Sequence, residues 1–151
     1  MRENSRNEGQ RWLDQAQTDL RWTRHLFGEG AYYLVCFLAQ QVAEKALKAF
    51  LYAQGEELVI GHSVRQLCTR AASYDVRFQQ NLDAWAILDS YYIPTRYPNG
   101  LPDDIPAHVY NREIAALALA LAEAVVTQVE SWFAETIPPN VDSELRPPNL
   151  H

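Results

Sequence analysis

Cys36 and Cys68 are the only cysteines among 151 residues, too few for a disulfide framework. Both fall at apolar positions of helical pattern, so they are expected to be reduced and buried, as suits a reducing compartment. The first eleven residues are polar and hold no apolar run. No signal peptide is read there, and the expected location is cytoplasmic. No alternating strand pattern, internal repeat or low-complexity tract is present. A Gly-rich phosphate loop is lacking, and no Ser or Cys sits in a nucleophile motif. No pair of histidines or carboxylates has metal-ligand spacing, so no metal cofactor is expected. Basic residues are outnumbered, 13 Lys and Arg against 19 Asp and Glu, for a net charge of -6. That balance argues against a broad phosphate-binding surface and against DNA, while leaving room for a local basic pocket.

What the chain does have is apolar content, 48%, with 11% aromatic residues, enough to bury the core of one domain. The organising stretch is Ala31 to Gly55, which reads as one long helix apolar on nearly every side. Gln40, Gln41, Glu44, Lys45 and Lys48 form its narrower polar face, interrupted by Phe37 and Leu51. Those amides and charges exclude a membrane span, so this is the expected core helix of a bundle. Before it, a polar tail (1–8) leads into a helix from about Gly9 to Phe27, stopped by Gly28 and Gly30. After it, Ser63 with Gln66 has the spacing of a capping box and predicts a short helix. A fourth helix is predicted over about Gln80 to Tyr92 and a long last one over about Ala107 to Thr136. Between these, Pro94, Pro98, Pro102 and Pro106 forbid a continuous helix. The expected fold is therefore an all-α bundle of four to five helices over residues 9–137. A Pro-rich loop precedes the last long helix, and 138–151 form a loose tail.

That loop gathers Thr95, Arg96, Tyr97, Asn99, Asp103, Asp104, His108 and Tyr110, with Asp89, Tyr91 and Tyr92 just before it. Arg96 has a planar fork suited to phosphate or carboxylate, and the tyrosines can stack on a base. The plainer alternative is that Arg96 pairs with Asp89, Asp103 or Asp104 and pins the loop. His108 can move protons near neutral pH. With Arg96 it has the parts for metal-free RNA cleavage, the ribose 2′-hydroxyl attacking and the arginine stabilising charge on the phosphate. His62, His25 and His151 read as local, surface and tail residues. Lys45 and Lys48 either pair along the helix, as Glu44 and Lys48 do at i,i+4, or help Arg96 hold a phosphate. Trp22, Phe37 and Leu51 lie off the main stripes and suggest a second buried surface, such as a homodimer seam.

Four pieces, WLDQAQTDL, FLAQQVAEKALKAFL, GHSVRQL and LDSYYIPTRYPNGLPD, stand in the order they take in the HEPN family, the "higher eukaryotes and prokaryotes nucleotide-binding" domain. The chain resembles that family over roughly residues 10–133, and its last piece is similar to the HEPN domain of the chaperone-like protein sacsin. The resemblance implies an up-and-down bundle that dimerises, partnering in prokaryotes with a minimal nucleotidyltransferase in pairs that can act as toxin and antitoxin. The sacsin-like members that the chain resembles are linked with nucleotide binding. The ligand expected here is a nucleotide, ATP or GTP, its phosphate held by Arg96 with Thr95 and Lys45 or Lys48 and its base met by Tyr92 or Tyr97. Many members are metal-independent ribonucleases with an arginine, a histidine a few residues on, and a tyrosine that the partner can modify. Arg96, His108 and Tyr110 supply these types, with eleven residues between the first two, more than in that motif. A non-catalytic dimerising adaptor is the third reading.

Overall fold

A three-residue turn with Gly30 at φ +81° separates the first two long helices, α1 (Arg2–Gly28) and α2 (Tyr32–Ala53), so the chain folds back and α1 packs along α2. The computed structural model describes residues 2–92, 97, 101 and 103–136. The expected tail over 138–151 and the prolines Pro94, Pro98 and Pro102 lie outside the described residues. Two short helices follow α2, α3 (Val64–Ala72) and α4 (Arg77–Trp85), then a 3-10 turn over Ala86–Tyr91. A one-turn helix α5 (Pro106–Val109) precedes the long α6 (Arg112–Glu135). No strand occurs among the described residues. The all-α expectation is met.

α2 is the axis of the core. It packs against α1, α3, α5, α6 and the 3-10 turn. Val35, Cys36, Ala39, Val42, Ala43, Ala46, Leu47 and Phe50 have no exposed surface. Its small residues let the neighbours come close. Gly9 on α1 lies so near α2 that a Cβ there would meet the Ala49 carbonyl oxygen at 2.5 Å.

Several expectations need correction. α1 begins at Arg2, well upstream of Gly9. A tertiary contact explains the added turns: Arg6 donates to the carbonyls of Phe133 and Thr136, each at 2.8 Å, placing a cation on the open C-terminal carbonyls of α6. The predicted fourth helix starts at Arg77 and tightens into the 3-10 turn after Trp85. The predicted last helix is two helices. Tyr110 and Asn111 are extended, and the Asn111 side chain accepts the Ile114 amide at 3.0 Å, restarting the helix. Pro106 opens α5 at the first helical position, where its missing N–H costs nothing. Leu51 is fully buried inside this chain and so is no part of an exterior seam.

The polar face of α2 is also different from its sequence reading. Gln40, Glu44 and Lys48 are buried, at 0%, 3% and 7% exposure. Lying four residues apart, they form one inward stripe. α6, and not α2, is the described helix long and apolar enough to cross a membrane by length and composition. Its face from Ala115 to Phe133 is nevertheless buried, and the helix packs against α2 and α1.

Candidate ligand site at the root of the proline-rich segment

Gly61 turns the chain with φ at +100°, a conformation open to glycine at little cost, and delivers His62 to the start of α3. His62 is then fixed from several directions. Its carbonyl accepts from Gln40 Nε2 at 2.6 Å. Its ring Nδ1 lies 2.5 Å from Glu44 Oε1. Its ring stacks on Tyr92, with centroids 5.3 Å apart and planes 16° from parallel. The next residue, Ser63, caps α3 and accepts the Gln66 amide at 3.1 Å, as the sequence predicts.

The rest of the α3 terminus is satisfied across the fold. Asp89 takes the Val64 amide at 2.7 Å, the Arg65 amide at 3.0 Å and the Ser63 hydroxyl at 3.0 Å. A carboxylate on free amides at a helix N-terminus is favoured by charge and by hydrogen bonding together. Asp89, which the sequence offers as a partner for Arg96, thus ties the 3-10 turn to α3.

The buried stripe is internally satisfied. Gln40 Oε1 accepts from Gln41 at 2.7 Å, and Glu44 Oε1 takes both His62 and Lys48, the latter at 3.3 Å. The Lys48 ammonium also lies 5.6 Å from the centroid of Trp12, whose ring stacks on Tyr52. The side chain of His62 remains 62% exposed, while Glu44 behind it is 4% exposed.

The other predicted site residues are distributed as follows. Lys45 reaches toward α1 and pairs with Asp19 at 2.5 Å, lining a groove of about 610 Å³ with Glu8, Arg11, Trp12, Asp14 and Gln15. Tyr97 is half exposed. His108 is exposed on α5, with Nδ1 at 2.8 Å from Asp104 Oδ1. The Ile105 amide and His108 hold the Asp104 carboxyl below its usual range. Tyr110 is nearly covered, edge-on to Tyr91, and burial pushes its hydroxyl up, with Cys36 nearby adding to the shift. Arg96 and Thr95 lie outside the described residues, so the arrangement joins Tyr92 to Glu44 and Lys48 through His62 but does not place the arginine.

The sequence places Gln40 and Glu44 on the polar face of α2 and reads His62 as a local residue; the structure brings all three together. The spacing of 40, 44 and 48 shows that they share a helix face, but Gln41 and Lys45 beside them make that face read as solvent-exposed.

The comparisons agree with this architecture. The HEPN domain family matches residues 10–132. The crystal structure of TT1696 from Thermus thermophilus superposes with a TM-score of 0.76 at 40% identity, over 83% of this chain and 98% of that one. That of ST0689, an archaeal HEPN homologue, gives 0.68 at 32% identity, over 83% and 97%. Among curated proteins none matches this sequence. With most of its length matched by the family and by two structural relatives, the chain belongs to the HEPN domain family.

Proposed function

We propose that this HEPN protein binds a nucleotide, ATP or GTP, where the proline-rich segment leaves the bundle. Arg96, with Thr95 beside it, takes the phosphates, and Tyr92 or Tyr97 meets the base. The observation that carries this reading is the parallel pair of Tyr92 and His62, an aromatic platform anchored on a buried carboxylate at the root of the segment. Lys45 assists by exchanging its carboxylate partner, Asp19, for phosphate, and Lys48, buried on Glu44, adds its positive charge from behind. Calorimetry with ATP and GTP tests it. Binding by wild type with at least a tenfold loss in Arg96→Ala is expected. Equal binding by the two proteins, or none by either, overturns it.

The protein acts as a homodimer in this reading, with a minimal nucleotidyltransferase as a further partner. Support for the dimer comes from the outer face of α6, where Ala116, Leu117, Ala120 and Ala124 are exposed together. Light scattering on wild type and Leu117→Glu reads the mass directly; a monomeric wild type removes the dimer.

A second reading, a metal-independent RNA endonuclease in a toxin–antitoxin pair, is favoured by one observation. His108 is exposed and held at Nδ1 by Asp104, an arrangement that orients the ring for proton transfer at Nε2. Cleavage of RNA in chelator by wild type and not by His108→Ala is the expected result. Cleavage unchanged by that substitution removes the reading.

A further inference from the structure

Burying polar side chains in a core helix is costly unless each finds a partner. On α2 the partners of two such residues converge on one exposed histidine: Gln40 on its carbonyl, Glu44 on its ring. Capping α3 does not call for this, because Ser63 and Asp89 already satisfy that terminus. Supporting Tyr92 does not call for it either, since a stacked ring needs no buried carboxylate. What the arrangement does achieve is to hold an exposed imidazole in one orientation and one tautomer. Glu44 as a carboxylate accepts, so Nδ1 is the nitrogen that carries the proton. Nε2 has no partner among the described residues.

From this geometry we infer that His62 is a ligand-contacting residue whose Nε2 meets a phosphate of the bound nucleotide. The inference rests on the nucleotide reading above and adds a residue to it. With a proton on Nε2 the ring donates to a phosphate oxygen, and Glu44 behind Nδ1 stabilises the resulting imidazolium. Lys48, on the same carboxylate oxygen, keeps Glu44 from being a lone buried charge when the ring is neutral. Gln40 and Glu44 act as positioning residues.

The test compares AMP with adenosine, which differ by the phosphate alone, on wild type, His62→Phe and Glu44→Gln. His62→Phe keeps a flat ring for Tyr92 and removes the nitrogens. It is expected to bind AMP at least tenfold more weakly and adenosine as wild type does. Glu44→Gln, once its melting curve shows that it is folded, is expected to lose AMP affinity to a smaller degree. Nitrogen-15 spectra of wild type titrated with AMP are expected to shift the Nε2 signal toward the protonated form. AMP affinity unchanged in His62→Phe overturns the inference and leaves the nucleotide reading standing. Equal losses for AMP and adenosine overturn it too, because the ring then serves only the platform. A wild type that binds neither AMP nor adenosine overturns the inference, and the nucleotide reading then stands or falls on the ATP and GTP calorimetry.

Discussion

A Cβ built on Gly9 would lie 2.5 Å from the carbonyl oxygen of Ala49 and 2.9 Å from Cβ of Ala53, so α1 and α2 touch backbone to backbone at this point. Inside a helix, Gly to Ala ordinarily stabilises by up to about 1 kcal/mol. Here the sign reverses, since neither backbone can move without disturbing the core. Gly9→Ala is expected to destabilise by about 1–3 kcal/mol. Gly28→Ala, with nothing within 4 Å, is expected to lose nothing. Thermal melts of the two variants against wild type check the contrast.

Lys48 and Glu44 are a buried pair, with side chains 9% and 4% exposed. Removing Lys48 leaves the Glu44 carboxylate in the core with His62 as its remaining partner. Lys48→Met is expected to cost about 1–3 kcal/mol by urea unfolding. Adding Glu44→Gln to that variant is expected to restore part of the loss. Losses that simply add would show that the two side chains do not act as a pair.

Asp89→Ala removes one acceptor group from three donors at the start of α3. A loss of about 1–3 kcal/mol is expected. Hydrogen exchange locates it, with the amides of Val64 and Arg65 losing protection before those of α2.

Arg77 joins Asp75 to Glu135 at the end of α6, with contacts of 2.8 Å to each. Its hydrogen bonds hold both carboxyl groups below their ordinary ranges. Groups depressed in the folded state lend stability above the unfolded values of about 4. That stability drains away as pH falls from there through the lower folded values. Arg77→Met is therefore expected to melt below wild type at pH 7, and the gap is expected to close on acidification below about pH 4. A gap independent of pH would assign the effect to packing.

Cys36 and Cys68 are buried thiols, pushed up to about 12 and about 11 by burial. Neither is expected to react with an aromatic disulfide reagent at pH 8 in the folded protein, while both react in guanidinium.

The central helix was legible because Ala31 to Gly55 is apolar on more sides than a surface helix allows. Ser63 was legible as a cap because that signal lies within four residues of chain. Capping and apolar periodicity are local, and local information survives in one dimension. The extra turns of α1 were not, since Arg6 is explained only by carbonyls 127 and 130 residues away. The break at Asn111 was written in the sequence as an Asn three residues before Ile114, but the strong apolar repeat beyond it masked the cap.

The candidate site divides the same way. Composition and order of residues determined that this is a helical HEPN chain with a proline-interrupted segment rich in Arg, His and Tyr. Only the tertiary structure decided that Gln40, Glu44 and Lys48 face inward and that His62 is their terminus. Polar residues spaced by four share a helix face in either case. Whether that face meets water or a partner depends on which distant segments pack over it.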